Sequence, residues 1–276
     1  MKIRTALFLF LTFTPQSFGQ RLAGPAGEHG VWVPPNAGDE RLVEPDDPAD
    51  AARPFAIETN PLQRTPRVAV SDAAAPSFRK LKVSEVPFQP WSRALYAYRQ
   101  QNQLEPHTRC KPSGGPRQFL TPYGVEFLEQ PELQRIYIVD IGGPHTLRVV
   151  FMNGGPHPAD LEPSYLGHSA GKWDNETLVI DTLGFNERFW FDRWGLPHTE
   201  QLHVTERFTR LDQNTLKYEV TIDDPGAYTA PWTTGLLLRW NPSQELFEYV
   251  CQDNNLAPQL MLGASESIER PGKIVP

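Results

Sequence analysis

Leu202-His203-Val204-Thr205-Glu206-Arg207-Phe208-Thr209-Arg210, then Leu211-Asp212-Gln213-Asn214, then Thr215-Leu216-Lys217-Tyr218-Glu219-Val220-Thr221-Ile222-Asp223: this run decides the fold. Side chains alternate across a strand, so Leu202, Val204 and Phe208 share a face with Glu206, while His203, Thr205, Arg207 and Thr209 take the other. The second segment turns Leu216, Tyr218, Val220 and Ile222 to one side, and the polar quartet between the two is turn chemistry. The run predicts an antiparallel hairpin with Glu206 facing an apolar interior. Burial favours the neutral acid unless a cation or donors compensate. Glu206 is therefore a general acid/base or ligand anchor, or half of an internal salt bridge with Arg148 or Arg239.

Outward from the hairpin, short strand patterns recur at residues 135–141, 146–152, 176–182, 236–240 and 246–251, separated by Gly, Pro and Asn turns. The spacing predicts a mainly β protein, an antiparallel meander closed into a barrel of about eight strands, with a β-sandwich as the alternative. Pro90 suits a first helical position, and Trp91, Leu95 and Tyr98 follow at helical spacing. One flanking helix ending before Pro106 is expected, with those three on its packed face.

The N-terminus has the pattern of a cleaved signal peptide over residues 1–19: Lys2 and Arg4, an apolar run too short to span a bilayer, then Ser17-Phe18-Gly19. A periplasmic or secreted location follows as an expectation. Residues 20–84 are rich in Pro, Ala and Asp without periodicity and predict an extended or disordered arm, docked through Trp32 and Phe55. Residues 85–276 are left as a single barrel domain. Without Lys2 and Arg4 the 26 basic residues fall to 24 against 33 acidic ones, and no basic stripe offsets that sign. Nucleic acid is a poor partner on this balance. No later segment is apolar for long enough to insert in a membrane, and nothing in the pattern specifies an oligomeric state. Cys110 and Cys251 are the only cysteines. In an oxidising compartment they predict one disulfide, the alternative being two buried thiols.

Candidate chemistry concentrates between Asn153 and Glu206, which hold four histidines and three tryptophans among Gly and Pro. His157 and Asp160, with His168, offer a His–carboxylate dyad, or simply loop-stapling hydrogen bonds. Asn186, Trp190, Asp192, His198 and His203 form a second polar group beside Phe185, Phe189, Phe191 and Trp194. Such aromatic walls suit a partly apolar or sugar-like ligand, or an aromatic lid packed over the barrel. Trp173, Tyr228 and Trp232 are further ligand-binding candidates. His157-x2-Asp160-x7-His168 and His198-x4-His203-x2-Glu206 supply metal-ligating atoms, but neither matches an established spacing, so no metal or other cofactor is assigned. Nucleophile-elbow, phosphate-loop and dinucleotide fingerprints are missing.

Several segments resemble a family of exported bacterial proteins with no established reaction: V-P-F-Q-P-W (86–91), C-K-P-S-G-G-P-R-Q-F (110–119), G-H-S-A-G-K-W-D-N-E-T-L-V-I-D-T-L-G-F-N-E (167–187), P-H-T-E-Q-L-H-V-T-E-R-F (197–208) and T-I-D-D-P-G-A-Y-T-A-P-W (221–232). The resemblance spans roughly 86–263 and departs at Asp174-Asn175-Glu176, a turn position. It implies export and a β-rich fold, similar at fold level to lipocalin-type barrels. Three functions stay open: a small-molecule-binding barrel; an enzyme of lyase, isomerase or hydrolase type using Glu206 with His157, His168 or His203; and an envelope interaction module tethered by the arm.

Overall fold

The computed structural model describes residues 21–25, 29–35, 40–47, 80–141 and 146–251. The expected signal peptide, Phe55 and most of the arm lie outside them. Nine strands close one barrel in chain order: β1 (Val31–Val33), β2 (Val125–Gln130), β3 (Arg135–Asp140), β4 (Thr146–Phe151), β5 (His168–Asp174), β6 (Thr177–Leu183), β7 (His203–Asp212), β8 (Thr215–Asp223) and β9 (Trp232–Asn241). The protein is mainly β, and among the described residues one α-helix, α1 (Pro90–Asn102), lies beside the barrel.

The pairing differs from a pure meander at one seam. Strands β4 and β5 run parallel, Val150 opposite Ser169, because residues 152–167 cross back over the wall before β5 begins. Parallel neighbours need such a crossover, whereas antiparallel ones need only a tight turn. Closure comes from inside the segment 20–84: Trp32 on β1 faces Trp240 of β9 on one side and Val125 of β2 on the other. The barrel thus takes a strand from N-terminal of residue 85, and Trp32 is buried in its wall. Residues 246–251, expected as a strand, are irregular; Phe247 and Tyr249 pack on Tyr123 instead, and Cys251 is bonded to Cys110.

Inward positions alternate as the hairpin pattern requires. Leu178, Ile180, Val204, Phe208, Leu216, Tyr218, Val220 and Ile222 are fully buried. Phe119, on a short 3-10 helix (Gly115–Leu120), fills the centre, its ring 4.6 Å from Tyr218 and 5.0 Å from Phe208. Rings at 4.5–7 Å in tilted geometry are favourable aromatic pairs. The same helix carries Arg117, buried, which donates two bonds of 2.8 Å to Glu105 and one to Glu40. Glu40 also accepts from Arg193 at 2.8 Å, so the stretch around residue 40 is tied to the barrel by charge-assisted bonds.

Helix α1 packs with a different face from the one its aromatics suggest. Ser92, Tyr96 and Arg99 are buried, while Trp91 and Tyr98 are 44 % and 42 % exposed. The reason is polar: the Ser92 hydroxyl donates to the Ala227 carbonyl, and Arg99 donates to Gly195 O while lying 4.7 Å over the Trp190 ring. Trp91 stays outside and donates its indole N–H to Gly226 O at 2.9 Å.

Candidate functional site

The block 153–206 does not converge on one pocket. The barrel wall divides it. Ser169, Thr182 and Glu206 point inward; His168, Asp181 and His203 point outward on the same three strands, in register pairs His168–Leu183, Ala170–Asp181 and Asp181–Thr205.

Inside, Glu206 is fully buried and accepts from Arg148 and, at 2.9 Å, from the Tyr218 hydroxyl. Arg148 also donates to Ser169 Oγ at 2.9 Å and Thr182 Oγ1 at 2.8 Å. Burial and the adjacent Glu206 charge push the Tyr218 phenol well above its ordinary range. Of the two arginines open as partners, Arg148 takes the role, while Arg239 donates to Thr215. No histidine bonds Glu206 among the described residues, so the expected proton-transfer set of Glu206 with His157, His168 or His203 is not assembled. Glu206 is instead half of a buried ion pair with hydroxyls on Arg148 Nε and Nη2 and on Glu206 Oε1, while Arg148 Nη1 is buried without a hydrogen-bond partner. Phe119, Phe208 and Tyr218 occupy the space beside it.

Outside, four groups form a chain. His203 Nε2 lies 2.5 Å from Asp181 Oδ1, His157 Nε2 lies 2.9 Å from Asp181 Oδ2, and His157 Nδ1 lies 2.8 Å from His168 Nδ1. The crossover 152–167 brings His157 over β5 and β6, and it ends at Gly167, whose φ of +61° suits glycine and whose Cβ position lies 2.5 Å from Leu183 O. The next residue, His168, stacks on Phe151 at 4.8 Å and 9° between planes. Burial, then the nearby His157, lowers the His168 imidazole below its ordinary value. Burial works against the Asp181 charge, but the bonds from His203 and His157 outweigh it and hold the carboxyl below its usual range.

The carboxylate that serves His157 is thus Asp181, not Asp160, which is exposed on the crossover. Sequence reasoning missed Asp181 because it sits in Thr177-Leu178-Val179-Ile180-Asp181-Thr182-Leu183, which reads as a strand. Parity within that strand was the available signal: Leu178, Ile180 and Thr182 inward leave Asp181 outward, across from Thr205 and diagonal to His203. The nitrogens and oxygens run in series rather than toward a common point. Among the described residues no three His, Cys, Asp or Glu side chains are arranged to hold a metal ion.

The remaining candidates make contacts within the fold. Asp192 is fully buried and accepts backbone N–H bonds from Trp194, Gly195, Leu196 and Leu42, a staple for the loop 189–197. Burial nevertheless raises its carboxyl. His198 bonds Phe189 O through Nε2 at 2.9 Å, lies against Phe189 and Phe191, and is pushed down to about 4 by burial. Asn186 accepts from the Arg188 N–H, closing a turn. Trp190 lies buried under Arg99. Tyr228 donates to Pro197 O and meets Trp232 edge to face at 5.3 Å; with Phe88 they seat the start of α1. Trp173 is at the opposite end of β5 from His168, under Arg21. Phe185, Phe189 and Phe191 are buried too, so the aromatic loop is a lid packed inward.

Comparison of the chain with protein-family models, curated proteins and solved structures finds no match.

Proposed function

We propose that the protein binds a small, partly apolar or sugar-like molecule on the outer wall of its barrel and performs acid/base chemistry on it with His168, His157 and His203 around Asp181. The observation that carries this reading is one carboxylate engaging two imidazoles, with a third imidazole in series. A structural histidine needs one fixed partner; two partly exposed rings on one anion with a third ring in series is the arrangement acid/base catalysis uses. Asp181 is 41 % exposed and His203 39 %, so a ligand has access that it lacks at Glu206.

The adjoining surface supports a partly apolar ligand. Phe151, stacked on His168, continues into Val149 and Leu147 along β4, flanked by Tyr137 and Val139 on β3 and Leu128 on β2. Leu147 and Leu128 are 53 % and 47 % exposed. Contiguous exposed apolar side chains mark interaction surfaces. The same surface favours, as a second reading, a protein-binding envelope module; a stable complex or dimer without turnover would select it.

Export belongs to the same proposal, supported by the signal-like residues 1–19 and the Cys110–Cys251 bond. Among the described residues no helix is long and apolar enough to cross a membrane. The test is to incubate the protein with aryl esters, aryl glycosides and hydrophobic hydroxy acids and to follow the small molecules by NMR. Turnover that is lost in His168→Asn supports the assignment. Turnover unchanged in that variant removes it.

A further inference from the structure

We propose that His168 and His157 form a two-imidazole proton relay, in which Nε2 of His168 takes a proton and the resulting positive charge is delivered to His157 beside Asp181. This rests on the outer-wall reading above and assigns the direction of proton movement within it.

The order of donors follows from the distances. The Asp181 carboxylate only accepts, so His157 Nε2, 2.9 Å from Oδ2, carries a hydrogen. A neutral imidazole has one N–H, which leaves a lone pair on His157 Nδ1. That lone pair faces His168 Nδ1 at 2.8 Å, so His168 must donate there. His168 is then the Nδ1–H tautomer and its lone pair is on Nε2. His203 Nε2 engages the other oxygen of Asp181, and the Thr205 hydroxyl approaches it at 3.5 Å, which fixes the carboxylate. The parallel Phe151 ring holds His168 in the plane the chain requires.

In the transfer, the bond between a substrate proton and its atom breaks as His168 Nε2–H forms. The Nδ1–H bond of His168 breaks as His157 Nδ1–H forms. His168 ends neutral with its hydrogen on Nε2, and His157 ends as an imidazolium whose Nε2–H still meets Asp181. Asp181 is a positioning residue: it sets the tautomer of His157 and receives the charge electrostatically. The titratable groups facing the relay are Asp181 from β6, His203 from β7 and, paired with His203, Asp223 from β8; Arg135 of β3 covers Phe151, and Lys172 is exposed farther along β5.

Long-range ¹H–¹⁵N spectra of the full chain at pH 8 test this without a substrate. Expected are an unprotonated Nε2 on His168 and an unprotonated Nδ1 on His157. In His157→Phe, which removes the acceptor, His168 should revert to the Nε2–H tautomer at pH 8. A wild-type His168 already in that form at pH 8, or a His157→Phe protein that folds and keeps Nδ1–H, overturns the relay. If the variant does not fold, the wild-type spectrum alone decides. A failed relay with intact, His168-dependent turnover leaves the outer-wall site standing, so the two claims fail separately.

Discussion

Asp181 and Glu206 stand one step out of register on paired strands, since Ile180 faces Glu206 and Asp181 faces Thr205, and they occupy opposite sides of the barrel wall. A shift of one residue along a strand changes the face on which a side chain lies. Two carboxylates close along the ribbon therefore do different work: Glu206 neutralises a buried arginine, and Asp181 organises imidazoles at the surface.

The Arg148–Glu206 pair makes a stability prediction. Both side chains are essentially unexposed, at 1 % and 0 %. Removing one charge strands the other, which typically costs about 3–5 kcal/mol, whereas replacing both with apolar groups is often neutral. Glu206→Leu should lower unfolding free energy by about that amount, and Arg148→Met/Glu206→Leu should recover much of it despite the loss of the Ser169 and Thr182 bonds. Urea denaturation of wild type, Glu206→Leu, Arg148→Met and the double variant measures this. Additive losses would show that the two residues do not interact.

His198 makes stability fall in mild acid. Its folded value of about 4 lies below the ordinary 6.5 because the ring is buried. As pH drops below about 6.5 the unfolded chain takes a proton that the folded chain resists, so stability declines down to about pH 4 and is flat in this contribution below it. The full effect is of the order of 3 kcal/mol. His107, lowered by burial and by Arg117, acts in the same direction. His198→Phe should flatten the pH dependence of the urea midpoint between pH 4 and 6.5. An unaltered slope would place the proton uptake elsewhere.

The strand alternation in 202–223 was enough to place the barrel and the burial of Glu206, because a buried face imposes period two on the sequence. Three features were not legible for physical reasons. Strand β1 has only three residues, too few for a periodicity. The parallel seam between β4 and β5 depends on where the crossover lands, which no local pattern encodes. The packed face of α1 was hidden because Ser92 and Arg99 are buried through hydrogen bonds and a cation–π contact, so counting apolar residues selected Trp91 and Tyr98 instead. For the site, His157, His168 and His203 were named and do share one wall, but Asp181 was passed over as part of a strand. His198 and Asp192 carry functional-looking chemistry and are each held by backbone partners, Phe189 O for His198 and four N–H groups for Asp192.

Bond formation between Cys110 and Cys251 closes a loop of sequence separation 141. In the chain-entropy model such a link stabilises by about 5 kcal/mol, less any native strain. Cys110→Ser/Cys251→Ser should lose a large part of this in urea titrations, and reduced wild type should match the double variant. Equal stability of oxidised and reduced protein would contradict it.

Gly167 positions His168, and its substitution should act locally. A Cβ there would lie 2.5 Å from Leu183 O and 2.9 Å from Thr182 Cγ2 at a positive φ. Gly167→Ala should destabilise by about 1–3 kcal/mol and shift the His168 and Phe151 resonances while leaving Tyr96 and Tyr228 unmoved. A spectrum unchanged at His168 would mean that the crossover does not set its place.

The central claim is that chemistry happens on the outer wall and not inside the barrel. Titrating the labelled protein with whichever panel compound is turned over, or otherwise binds, tests this most directly through its side-chain NMR spectrum. The expected result is movement of the His157, His168 and His203 ring signals together with Phe151 and the Leu147 methyls, with Tyr218, Phe208 and Val220 still. Movement confined to Tyr218, Phe208 and the inward-facing methyls, with the three imidazoles unperturbed, would contradict it.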